Sequence, residues 1–374
     1  MTEITREIVD LRPVRPLVEQ AVAHLATPEG FAQGLFADGP GRPARPDNMF
    51  VVARTLTAVR PDWCTEPIAR AWGNTLRDTQ RPDGTWARQM DTLSRVPQRH
   101  RPVDLELRAT SDAVKTLNAL YAQPRYPMRL PPEVLNAEGL TAFLEGVRWD
   151  VQWGTSIPVG NLGMMLAANG MWSLADALFA WLDARQDPVS GWWLADRTGT
   201  PQYLRGQPFH PLGGAYHLME AYIVARHRVP HAEALLETLL GIHAIGGHLD
   251  NPMGGTPEPA SAPGCGQLDL VVMLDVLARQ LGLSGERRRR VDEAIYDTVR
   301  VHYDRVVLDE AGRAHLASLS AIDYLAATLA CGQTFLPGYF VDERPWRYLW
   351  ADAGPVRFPA PGAVGLEPGR ASEQ

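Results

Sequence analysis

The feature that most constrains this chain is a recurring pair of helical stretches, one polar and one apolar on nearly every face. The apolar stretches include Met49-Phe50-Val51-Val52-Ala53, Leu162-Gly163-Met164-Met165-Leu166-Ala167-Ala168, Leu270-Val271-Val272-Met273-Leu274 and Tyr324-Leu325-Ala326-Ala327. A helix that is apolar all round must be buried on all sides. A polar residue is expected to open each: Asn48, Asp112, Asn161, His217, Asp269 and Asp323, at intervals of 64, 49, 56, 52 and 54 residues. Amphipathic stretches at a 3.6-residue period alternate with them: Val14 to Leu25, Glu66 to Gln80, Ala137 to Val151, Leu174 to Gln186, Ala232 to His243 and Glu286 to Tyr303. Repeats of this length indicate an array of supersecondary units. The reading is all-α: an (α/α)6 toroid, or six-hairpin barrel, over residues 1–331. A C-terminal extension, 332–374, is expected to pack on the toroid through Pro345-Trp346-Arg347-Tyr348-Leu349-Trp350, with the last residues disordered.

Long loops rich in Gly, Pro and Trp precede the apolar helices, roughly residues 28–47, 82–110, 187–213 and 244–266, whereas the return connections are short. Long loops in a compact domain are usually functional, so this rim is the expected mouth of a pocket. Gln80-Arg81-Pro82-Asp83-Gly84-Thr85-Trp86, followed by Asp112-Ala113-Val114-Lys115-Thr116-Leu117, resembles the repeat of terpenoid cyclases and protein prenyltransferase β-subunits. Gln186-Asp187-Pro188-Val189-Ser190-Gly191-Trp192-Trp193 is a looser copy of their glutamine–tryptophan motif, and is also similar to a stretch of six-hairpin glycosidases. The resemblance spans about residues 60–330. It implies the toroid, often used on isoprenoid substrates. The chain holds no Asp-x-Asp-Asp string of the kind class II cyclases use as their acid.

Composition excludes several other classes. Hydrophobic residues make up 45%, enough for a large core, and the net charge of −7 is wrong for a phosphate-backbone binder. The basic run Arg287 to Arg290 reads as a solvated helix face. Lys115 is the only lysine; it is expected on a helix flank, so Schiff-base chemistry is not expected. Three scattered cysteines form no disulfide framework. No signal segment and no apolar run approaching 18 residues is present, so a soluble cytoplasmic protein is expected. No phosphate loop, dinucleotide fingerprint, nucleophile elbow or metalloprotease helix occurs.

The candidate catalytic residues are Asp112, Asp269 and Asp323, with His217 as partner. Aspartate at a helix start is ordinarily a cap. A carboxyl held in an apolar cavity instead has its pKa raised and can donate a proton. His217 follows Gly213-Gly214, which allow close backbone approach. Asn48, Trp86, Asn161, Trp192, Trp193, His210, Tyr216 and His248 are expected on the substrate wall. Tryptophans there would stack on a sugar face or a carbocation, or else plug the gaps between hairpins. No cofactor is expected. His248, Asp250, Cys265 and Asp269 have the donor types for zinc without a standard spacing. The expected function is an acid-initiated cyclase, isomerase or lyase working on an apolar, isoprenoid-type small molecule. The alternatives are a six-hairpin glycoside hydrolase or polysaccharide lyase, and a non-catalytic binding toroid.

Overall fold

The structure is a computed structural model that describes residues 6–60, 62–86, 101–149, 152–193, 209–245, 265–307, 313 and 315–348. Helix dominates it. In chain order the helices are α1 Val14–Ala23, α2 Pro28–Gln33, α3 Met49–Val59, α4 Glu66–Thr79, α5 Pro102–Ala119, α6 Ala137–Glu145, α7 Gln152–Thr155, α8 Ile157–Ala168, α9 Trp172–Asp183, α10 Phe209–Ala225, α11 Ala232–Ile245, α12 Cys265–Gln280, α13 Gly285–Val307 and α14 Leu319–Phe335. Two short strands, β1 Val9–Asp10 and β2 Phe340–Val341, pair in parallel and tie the ends of the described chain together. The all-α expectation holds. No described helix is long and apolar enough to cross a membrane.

Six helices form a cycle of neighbours. α3 packs on α5, α5 on α8, α8 on α10, α10 on α12, α12 on α14, and α14 on α3. These are the apolar stretches of the sequence; α12 and α14 are buried along most of their length. The more polar helices lie against them: α1 on α3 and α14, α4 on α5, α9 on α8, α11 on α12, and α13 on both α12 and α14. The polar set exposes one side, as in α4, where Trp72, Gly73 and Leu76 are the buried residues. Gly160 lets α8 and α10 touch: a Cβ there would stand 2.0 Å from the His217 carbonyl oxygen.

The glutamine–tryptophan turns join successive hairpins by one recurring network. Gln80 bridges to Trp86 and Gln186 to Trp193 as isolated antiparallel pairs. Gln80 Nε2 donates to the Gly84 carbonyl and Gln186 Nε2 to that of Gly191. Each glutamine Oε1 then accepts a backbone N–H from the run-up to the next polar helix, Tyr126 in one case and His231 in the other, both at 2.9 Å. Gly84 and Gly191 both sit at positive φ.

Five of the six polar residues expected to open the inner helices lie deeper than that. Asn48 is the N-cap of α3, although its Nδ2 donates to the Phe36 carbonyl rather than capping. Asn161, Asp269 and Asp323 sit a full turn inside α8, α12 and α14, His217 two turns inside α10, and Asp112 nearly three turns inside α5. Capping therefore does not account for the aspartates. The caps are other residues, Ser318 for α14 and the Arg101–Asp104 box for α5.

The segment after α14 folds back onto the helices. Trp346 is buried, its indole donating to Asp342, which is also paired with Arg15. The Arg347 amide donates to the Ala58 carbonyl, and Tyr348 is buried behind it.

Candidate active site among the inner helices

A group of polar side chains from α3, α5, α8, α10, α12 and α14 converges among these helices. Arg54 of α3 makes a bidentate ion pair with Asp323 of α14, Nε to Oδ1 at 2.9 Å and Nη2 to Oδ2. Thr55 Oγ1 lies 3.2 Å from the same Oδ1. Lys115 of α5 stands 4.0 Å from Glu220 of α10 and donates to Asn161 Oδ1 at 3.3 Å. Ser111 Oγ donates to that oxygen at 3.0 Å. Phe50 lies beneath both cations, its ring centroid 5.5 Å from the Arg54 guanidinium and 5.3 Å from the Lys115 ammonium. The Tyr216 and Tyr348 hydroxyls are 3.0 Å apart.

Asp269 differs from the other carboxylates. It is 1% exposed, and its Oδ2 has no hydrogen-bond partner among the described residues. Burial, reinforced by the charge of Glu220 and partly offset by Arg54, pushes its carboxyl pKa well above the usual range. A buried carboxylate without partners is costly, and taking up a proton removes that cost. Burial thus favours the protonated form of Asp269 over the ionised one. Burial also holds the Tyr216 and Tyr348 hydroxyls protonated, with Glu220 adding to both effects. His217, with Nδ1 3.1 Å from Ser156 Oγ, is driven to a pKa of about 3 by burial and then by the charges of Arg108 and Lys115. It works as a neutral imidazole that donates at one nitrogen and accepts at the other. The two cations at this convergence each face a carboxylate, Arg54 that of Asp323 and Lys115 that of Glu220.

Of the sequence candidates, Asp269, Asp323, His217, Asn161 and Tyr216 belong to this convergence. Asp323 is committed to Arg54 through the bidentate ion pair. Asp112 is directed elsewhere. It is half-buried beside Arg108 and lines a cavity of about 320 Å³ between α3, α4 and α5, together with Asp47, Phe50, Leu76 and Trp86. The tryptophans are packing elements. Trp86 is buried with its indole donating to the Leu76 carbonyl, and Trp192 and Trp193 are each 1% exposed, Trp193 resting on Tyr222. Such burial gives Trp192 and Trp193 the plugging role, whereas Trp86 also lines the cavity beside Asp112. His210 lies in the first turn of α10. His248 and Asp250 lie outside the described residues. Cys265 is buried one turn before Asp269 on α12, and among the described residues no group of three or more His, Cys, Asp or Glu could hold a metal.

Reading the sequence missed Arg54, Glu220, Ser111, Ser156 and Tyr348, and placed Lys115 on a flank, whereas it is buried at the centre. A signal for three of them existed. Arg54, Lys115 and Glu220 each interrupt an otherwise apolar inner stretch, and a buried charge must find a partner. Comparison with protein-family models, curated proteins and solved structures finds no match to this chain.

Proposed function

We propose that the chain is an (α/α)6 toroid enzyme that uses Asp269 as a general acid at the centre of its ring. The closed cycle of inner helices, α3 through α14 and back, supports the toroid. The observation that carries the function is the lone Asp269 oxygen, buried and unpartnered in a cluster whose other carboxylates are committed to cations. A protonated carboxyl in such a site delivers its proton to a weakly basic atom, an alkene carbon or an epoxide or ether oxygen. The reaction class is a proton-initiated cyclisation, isomerisation or elimination on an apolar, isoprenoid-type substrate, in line with the repeat resemblance. Charge balance refines the substrate. Both central cations are matched by carboxylates, so among the described residues neither is spare for a diphosphate, which favours a substrate whose reacting end is uncharged. Asn161 Nδ2, buried and without a partner among the described residues, supplies a donor to the substrate from α8. Tyr216 and Tyr348 supply neutral aromatic surface.

A second reading, a six-hairpin glycosidase, draws on Glu220, whose charge acts on Asp269; an acid and an ionised carboxylate are the two groups glycoside hydrolysis requires. Incubation in D2O with uncharged linear polyprenyl compounds, and separately with unsaturated oligosaccharides, distinguishes the two. The proposal expects deuterium on carbon in a prenyl product, and its loss in Asp269→Asn. Turnover of the sugars alone would transfer the site to glycoside chemistry, and turnover of neither by the intact enzyme would remove the acid role.

A further inference from the structure

At the C-terminal ends of the inner helices lies a second cavity of about 410 Å³, between α10, α12 and the segment that follows α14. Its walls are apolar, formed by Met219, Ile223, Val272, Val276 and Phe335 and closed by Tyr348. Arg226, Arg228, Arg279 and His227 stand at its edge. Among the described residues these cations are not each matched by a carboxylate, as the two at the ring centre are. Arg279 pairs with Asp275, but that one carboxylate also serves Arg288. Arg228 donates to the Gln280 carbonyl at 3.2 Å, and Arg226 has no ion-pair partner among the described residues. His227 is held in place, Nε2 2.9 Å from Asp183 and the ring stacked on Phe179 at 4.5 Å. An apolar slot edged by surplus guanidinium donors complements a molecule with an apolar body and an anionic end.

The backbone at Arg226 adds an independent argument. Helices α5, α8, α10 and α12 end alike, in a residue at positive φ followed by an N–H that reaches back five residues. Those bonds are Ala122 to Leu117, Met171 to Leu166, His227 to Tyr222 and Leu283 to Ala278, at 2.8–3.0 Å. The left-handed seat is held by Tyr121, Gly170, Arg226 and Gly282. Glycine fits there without penalty, whereas a side chain is strained there. Tyr121 projects into solvent, 93% exposed; Arg226 lines the cavity. A cation at a helix C-terminus recovers a little of that strain from the helix dipole, which at most offsets it.

We propose that this cavity binds an amphipathic anion, an alkyl or prenyl chain ending in a carboxylate or a phosphate. The chain lies against Met219, Val272 and Phe335, and the anionic end meets Arg226 and Arg228. The site lies apart from Asp269, sharing only Tyr348 with the active-site group, and its ligand does not depend on the Asp269 chemistry.

Calorimetric titration of the full chain with dodecanoate, dodecyl phosphate and 1-dodecanol, each below its micellar concentration, tests this. At least one anion binds tenfold or more tightly than the alcohol. Arg226→Gly/Arg228→Ala loses that tenfold, while Arg226→Gly alone unfolds at the same or a higher urea concentration, separating ligand binding from helix-end structure. Binding of only the carboxylate or only the phosphate supports the site and fixes its head group. Equal binding of the alcohol, undiminished anion binding by the double variant, or no binding of any probe overturns the proposal. Asp269→Asn, which leaves this cavity untouched, binds the anions as the parent does.

Discussion

A buried aspartic acid and two buried histidines give this protein opposing pH dependences. Asp269 keeps its proton in the folded state at pH values where the unfolded chain has lost it. Stability from this group therefore falls as pH rises above about 4, by about 1.4 kcal/mol per pH unit until the folded pKa is reached. Asp269→Asn is accordingly predicted to abolish activity and to raise the urea midpoint at pH 7 relative to pH 4. His217 and His302 behave in the reverse sense. Both have folded pKa values of about 3 against 6.5, so the unfolded chain takes up protons that the folded chain refuses. Stability is whole above pH 6.5 and declines toward pH 3, by about 1.4 kcal/mol per unit for each histidine. His302→Phe should lessen that acid slope by one group, as read from urea midpoints between pH 4 and 7. The Arg54–Asp323 pair makes a third case: Arg54→Met strands a buried carboxylate and costs about 3–5 kcal/mol, whereas Arg54→Met/Asp323→Leu regains most of it.

At the scale of the element, the glutamine turns are interchangeable parts. Gln80 and Gln186 each satisfy a carbonyl within the turn and an amide of the next hairpin, so Gln80→Leu and Gln186→Leu should cost similar amounts, about 1–3 kcal/mol each, in denaturant unfolding. Gly84→Ala should cost at least as much, because its Cβ would stand 2.0 Å from the Pro127 carbonyl oxygen at a φ of +88°. Helices of this kind were legible in the sequence. Apolar and amphipathic stretches alternate at a regular interval, and the amphipathic starts fall within two residues of those observed. The inner helix starts were less legible. Polar residues taken as first-turn markers at 112, 161, 217, 269 and 323 are functional or structural groups within apolar helices, and the true first turns, such as Ile157 and Leu319, are themselves apolar and hide the boundary. Partnerships across the cycle were not legible. Arg54 meets Asp323 from 269 residues away, which no local pattern records. The tryptophans read as a ligand wall because their loops are long; Trp192 and Trp193 are buried between helices, whereas Trp86 lines the cavity beside Asp112.

For the whole molecule, the closure between α14 and α3 and the segment after α14 fix what the centre can do. Tyr348 comes from that segment, yet its hydroxyl meets Tyr216 among the inner helices and its ring closes the arginine-edged cavity. Trp346 anchors the segment, and Trp346→Ala should cost about 3–5 kcal/mol and loosen Tyr348 with it, lowering both activity and anion binding. The central claim is that the ring encloses one neutral carboxylic acid amid paired charges, and infrared difference spectroscopy tests it most directly. Spectra of the parent and Asp269→Asn in D2O near pH 7 are predicted to differ by the carbonyl stretch of a protonated carboxylic acid, present in the parent and missing in the variant. A difference showing only ionised carboxylate bands would mean that Asp269 has surrendered its proton, and would contradict both the acid role and the reaction class built upon it.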